Sequence, residues 1–104
     1  MNIPALSKTP HYDLISNINA NGSKTFYIGN NSCVLLYGFG SGGTDFFVTG
    51  RTNSAGSVSV IEISKGVSIT ITKATNSITF ANSNSNVNSR LFAVIFAGVF
   101  AEQT

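Results

Sequence analysis

The sequence predicts an all-β fold, an antiparallel β-sandwich or jelly roll of about eight strands in a single domain. Three observations lead there. Apolar residues alternate with Ser, Thr and Asn along most of the chain, the period-2 signature of strands with one face on a core. No window carries the i, i+3, i+4, i+7 apolar spacing and charged opposite face of an amphipathic helix. Gly, Asn and Ser clusters interrupt the alternation about every eight to twelve residues, and a single open sheet would leave half of the apolar positions wet.

In chain order, residues 12–18 and 24–28 form the first two strands, separated by Asn21-Gly22, residues that tolerate the positive φ of a tight turn. Gly29-Asn30-Asn31 leads to a third strand over 33–39, and Gly40-Ser41-Gly42-Gly43 to a fourth over 45–51. After Asn53-Ser54-Ala55-Gly56, residues 57–64 read as a strand whose inward parity changes at Val60-Ile61, which predicts a bulge or burial on both faces. Lys65-Gly66 then turns the chain. Next comes the clearest strand, in which Val67, Ile69 and Ile71 alternate with Ser68, Thr70 and Thr72, one face to a core and the other to water. Lys73-Ala74-Thr75-Asn76 supplies a polar turn, and Ile78 and Phe80 resume the inward parity, so these two strands pair as a hairpin. Residues 90–99 form the closing strand.

That closing run, Leu91-Phe92-Ala93-Val94-Ile95-Phe96-Ala97-Gly98-Val99-Phe100, is apolar on both parities. Whichever way the strand faces, a second apolar row points away from its own core. Either other elements of the chain cover that row, or it forms a seam between copies, because large apolar patches are rarely left open.

Two segments stand outside the alternation. Residues 1–10, with Pro4 and Pro10, read as an extended N-terminal arm or linker ahead of a β-sandwich domain over 11–104. Residues 82–89 form a polar, uncharged Asn/Ser tract, expected as a flexible exposed loop, with a variable recognition loop as the functional reading. The N-terminus lacks the apolar stretch of a signal peptide, and residues 91–101 are about half the roughly 20 residues of a spanning helix, so no membrane insertion is expected.

Composition argues against several functions. Of 104 residues only ten are charged, with one His, one Cys and no Trp. Lys8, Lys24, Arg51, Lys65, Lys73 and Arg90 lie singly along the chain, without the clustered cations that neutralise nucleic-acid phosphates. General acid-base chemistry needs groups within reach of each other, and the acids are only Asp13, Asp45, Glu62 and Glu102. Cys33 and His11 are the one imaginable nucleophile and base, and no local feature activates the thiol; a buried, inert Cys33 is expected. Gly38-Phe39-Gly40-Ser41-Gly42-Gly43 has the lettering of a dinucleotide-binding loop, but a strand pattern follows it where that site requires a helix, so it reads as a turn. No catalytic residue, metal ligand or cofactor is assigned. Sugar binding keeps Tyr27, Tyr37, Asp45, Arg51 and Asn53 as candidates, since carbohydrate sites combine ring faces with Asp, Asn and Arg; no ligand-binding residue is fixed among them, and each aromatic also suits core or interface packing.

Leu14-Ile15-Ser16-Asn17-Ile18, Asn21-Gly22-Ser23-Lys24-Thr25-Phe26, Cys33-Val34-Leu35-Leu36-Tyr37, the pair Val67-Ser68-Ile69-Thr70-Ile71 and Ser77-Ile78-Thr79-Phe80, and Leu91-Phe92-Ala93-Val94-Ile95 together resemble C-terminal modules of bacteriophage tail fibres and virion spikes, over about residues 12–99. The resemblance implies a small β-sandwich or jelly-roll head, commonly trimeric, at the tip of a fibre. Its partners would be copies of itself and a bacterial surface glycan or protein receptor. Its place would be the extracellular particle, and the host cytoplasm during assembly. Recognition would lie in the loops at 40–44, 53–56 and 82–89. A capsid decoration or head-fibre protein and a lectin-like module of a bacterial extracellular protein are the alternatives.

Overall fold

The computed structural model describes residues 11–40 and 43–103, so the lead-in expected over residues 1–10 lies outside the described residues. Nine strands carry the described chain: β1 (His11–Ile18), β2 (Ser23–Ile28), β3 (Cys33–Gly40), β4 (Gly43–Thr52), β5 (Val58–Lys65), β6 (Ile69–Ala74), β7 (Ser77–Asn82), β8 (Ser89–Ala97) and β9 (Phe100–Glu102). They form a five-stranded sheet in the order β1-β8-β3-β4-β5 and a four-stranded sheet in the order β6-β7-β2-β9. All described pairings are antiparallel, and the protein is a β-sandwich. No helix among the described residues is long and apolar enough to cross a membrane.

Alternation places the core. Val34 and Leu36 on β3, Phe46 and Val48 on β4, and Leu91 and Ala93 on β8 point inward from one sheet; Phe26 and Ile28, Ile69, and Ile78 and Phe80 point inward from the other. Phe80 links the layers, its ring stacked on Phe46 at 4.8 Å and edge-on to Phe26 at 5.8 Å. Phe100 completes this cluster by stacking on Phe26 at 5.4 Å.

That last contact corrects the single closing strand expected over 90–99. β8 ends at Ala97, and the chain crosses to the other sheet, where β9 pairs with β2. Gly98 makes the crossing with a φ of 80°, where an L side chain is strained, and a β-carbon there would run into Ser32. The doubly apolar run is therefore used twice: Leu91 and Ala93 fill the core from the five-stranded sheet, and Phe100 fills it from the four-stranded one.

The expected β6–β7 hairpin is present, with Asn76 at φ 53° in its turn. Val67, however, stands before β6 and is fully exposed. Gly66 accepts a hydrogen bond from the Ile69 amide, so the turn begun at Lys65 extends through Val67 before pairing starts. In β5, Val58 and Val60 keep the inward parity, and the register against β4 shifts two residues after the parity change, opposite Phe47 and Val48. Ile61 has the outward parity, opposite Thr49, and Ile63 falls at the register shift, so both are exposed while Val58 stays in the core.

Asn side chains tie the sandwich ends. At one end, Asn76 Nδ2 donates to the Ile28 carbonyl at 2.8 Å and to Asn30 Oδ1 at 2.9 Å, while its amide donates to the Gly56 carbonyl. At the other, Asn82 Nδ2 donates to the carbonyls of Ile18 and Val87, and Asn88 Oδ1 accepts from the Ala20 amide. Residues 82–89 are therefore not simply an exposed loop: Asn82 and Ser89 are buried, and Asn84 Oδ1 accepts from the amides of Asn86 and Val87.

Candidate functional site

Residues of the second parity on β3, β4 and β8 line the outer face of the five-stranded sheet. Strand register sets them in rows. Val94, Leu35, Thr49 and Ile61 make one central row, and Phe92, Tyr37, Phe47 and Ser64 make the next. Beyond them, Ala97, Cys33, Arg51 and Ser59 lie at one end, and Arg90 with Phe39 at the other. The two central rows contain no Asp, Glu, Lys, Arg or His; the two arginines stand outside them, on different strands and at opposite ends.

The rings on this face hold one another in place. Tyr37 and Phe92 stack at 5.4 Å with an interplanar angle of 11°, and Phe39 meets both edge-on at 5.6 and 5.8 Å. Such pairs add about 0.5–1.5 kcal/mol beyond the area they bury. The Arg90 guanidinium lies 5.7 Å from the Phe92 ring centre, which keeps its charge at the rim. Leu35, Tyr37, Phe47, Phe92 and Val94 are half-buried, whereas Phe39, Phe96 and Ile61 are 41%, 57% and 60% exposed. Tyr37, Phe39, Phe47 and Ser64 surround an open apolar hollow of about 420 Å³. Scattered exposed apolar residues are ordinary on proteins, but a contiguous apolar patch marks a contact surface.

The outer face of the four-stranded sheet has the same pleat with different side chains. Thr72, Thr79 and Thr25 form one cross-strand row, joined by a 2.9 Å hydrogen bond between the hydroxyls of Thr25 and Thr79. Thr70, Ala81 and Ser23 form the next.

Comparison with protein-family models, with curated proteins and with solved structures finds no match to this chain. The residues themselves therefore carry the functional reading.

The five sugar candidates do not converge. Tyr27 stands exposed on the outer side of the four-stranded sheet, and Tyr37 in the centre of the opposite outer face. Asp45 sits near the start of β4, where its carboxylate occupies the space that a side chain at Gly40 would need. Only Arg51 and Asn53 come together, lining a polar cleft of about 200 Å³ with Thr52, Ser57 and Ser59. Asn53 Oδ1 already accepts hydrogen bonds from the amides of Ala55 and Ser57 at 2.9 and 3.0 Å, so this side chain shapes its own loop.

The three expected recognition loops divide in the same way. Residues 41 and 42 of the expected 40–44 loop lie outside the described residues; the flanking pair Gly40 and Gly43 shares one end of the sandwich with the 82–89 segment, because Phe39 pairs with Arg90. The 53–56 loop lies at the other end, where Asn53 accepts a hydrogen bond from the Asn31 amide. Cys33 is exposed rather than buried, since Val34 and Leu36 hold the inward parity and send their neighbour outward. It opposes Ala97, whereas His11 opposes Ile95.

Sequence reasoning placed the surplus apolar row on the closing strand alone. The structure extends it across β3, β4 and β5, adding Leu35, Phe39, Phe47 and Ile61. The signal was present in Val34-Leu35-Leu36-Tyr37 and Phe46-Phe47, each of which is apolar on both parities.

Proposed function

We propose that this chain is a non-enzymatic structural module of a phage virion, an oligomeric head at a fibre tip that contacts a bacterial surface receptor. The observation that carries the reading is the apolar outer face of the five-stranded sheet, on which Phe92 and Val94 are only half-buried and Phe96 is exposed. A lone copy leaves that surface in water; an assembly buries it. A trimer is the favoured assembly, by the pattern resemblance to fibre heads. Assembly also supplies the mechanism of adhesion, since identical weak loop sites on a rigid symmetric head multiply effective affinity without catalysis. Side-chain hydrogen bonds from Asn76 and Asn82 hold the end loops in fixed shapes, which keeps such sites pre-organised.

A lectin-like carbohydrate-binding module is the second reading, favoured by the polar cleft that joins Arg51 and Asn53. One experiment separates the two. Fluorescently labelled protein is sized by light scattering and incubated with a panel of bacterial cells and with a glycan array. An oligomer retained on cells is the expected result. A monomer that binds glycans, and loses them in Arg51→Ala, replaces the fibre head by the sugar-binding module; a monomer that binds neither overturns both.

A further inference from the structure

We infer that the outer face of the five-stranded sheet, centred on its two middle rows and the adjoining Phe39, is the self-association surface, onto which the same face of a second copy of this chain packs. This deepens the proposed function and rests on its oligomeric part, with a two-fold, face-to-face pair in place of the trimer that the resemblance favours.

Size is the first argument. Five strands about 4.8 Å apart, each about eight residues long at roughly 3.3 Å per residue, span about 24 by 26 Å, or some 600 Å² in projection. A pleated, ring-bearing face has more accessible surface than its projection, which brings it close to the roughly 800 Å² that each partner gives to a standard stable interface. The four-stranded sheet packed on the inner side already shows that this sheet stacks on another; a copy on the outer side would add a third layer at the usual sheet spacing of about 10 Å.

Charge is the second. The centre has no ionisable acid or base of the Asp, Glu, Lys, Arg or His kind, and its arginines, Arg51 and Arg90, stand at opposite ends. Aromatic residues at the centre and Arg at the rim are the composition of a protein–protein contact. Two such centres meet without a buried unpaired charge, so the face is compatible with itself. A sugar would find rings here but few polar groups beside them: among the described residues around the hollow, these are Ser64 and the Tyr37 hydroxyl. The rings are held by mutual stacking before any contact forms, which lowers the entropy lost on association.

The test uses exposed positions, so that folding is preserved. Phe39→Lys and Ile61→Lys are compared with wild type and with Thr72→Lys on the opposite outer face, by light scattering across a dilution series. The expected result is an oligomeric wild type and Thr72→Lys, with the midpoint concentration of dissociation raised about thirtyfold or more in the two face variants. Far-ultraviolet circular dichroism confirms that the variants keep their strand content. An oligomer indifferent to both face substitutions overturns this surface and leaves the oligomeric head standing. A wild type that stays monomeric at every concentration overturns both. A monomer that binds an immobilised glycan, and loses it in Phe39→Ala, would put a sugar where we place the second copy. Face variants that dissociate while wild type fails to adsorb to any cells would support the surface and remove the receptor-binding head.

Discussion

The two outer faces of the sandwich obey one geometry and end in different chemistry. Both are the outward parity of antiparallel strands, set in cross-strand rows and free of charge at the centre. On the four-stranded sheet the rows are Thr, Ser and Ala, whose hydroxyls bond to water or to each other, as Thr25 and Thr79 do. On the five-stranded sheet they are Leu, Val, Ile, Phe and Tyr, with Thr49 and Ser64 among them. Neither centre has a charge, so charge does not separate them; the share of Thr and Ser and the amount of carbon left in water do. One face is finished as a surface. The other is chemically half of a core.

Five substitutions break or sharpen that contrast. Largest is the effect of cutting the core between the faces: Phe80→Ala removes the ring stacked on Phe46 and edge-on to Phe26, and should cost about 3–5 kcal/mol in denaturant unfolding. Phe39→Ala, measured under conditions where copies do not associate, should cost less than about 1 kcal/mol. Equal losses would mean that the outer rings act as core within a single copy.

Next comes the crossing that divides the apolar run between sheets. Gly98→Ala places a side chain at φ 80° and against Ser32, and a loss of about 1–3 kcal/mol is expected from thermal melts. An unchanged midpoint would show that β9 does not depend on this backbone turn.

A smaller effect is expected on the finished face. Thr79→Val removes the hydroxyl contact with Thr25 but keeps the shape of a β-branched residue, and stability should change by less than about 1 kcal/mol with no change in assembly mass. A shift in assembly mass would assign the seam to the wrong sheet.

The smallest effect is at the rim where the sheets meet. The Ser16 hydroxyl, helped by Lys24 at 3.4 Å, holds the Glu102 carboxyl below the usual carboxylate range against the opposing effect of desolvation. Because the folded-state pKa is the lower one, this contribution is present above the ordinary carboxylate pKa and is lost as the pH falls through the folded value. Glu102→Gln should therefore lower stability slightly at neutral pH, flatten the acid side of the profile, and leave stability unchanged below the folded pKa; a loss confined to acid would contradict the assignment.

Period-2 alternation and the turn residues were enough to read the all-β class, the β6–β7 hairpin and most strand positions from the chain, because both are local: parity sets which side a residue faces, and Asn or Gly supplies the backbone angles of a turn. The same local rule placed Ile69 and Ile78 in the core and showed that the closing run had more apolar carbon than one strand face can bury. Tertiary structure decided the rest. Cys33 is exposed and Val67 lies outside its strand because burial depends on which strands flank a position and where pairing begins. The closing run serves both sheets because Gly98 allows a crossing that no periodicity announces. Residues separated by dozens of positions, such as Leu35, Ile61 and Val94, share one row only through cross-strand register, and register is a property of the assembled sheet.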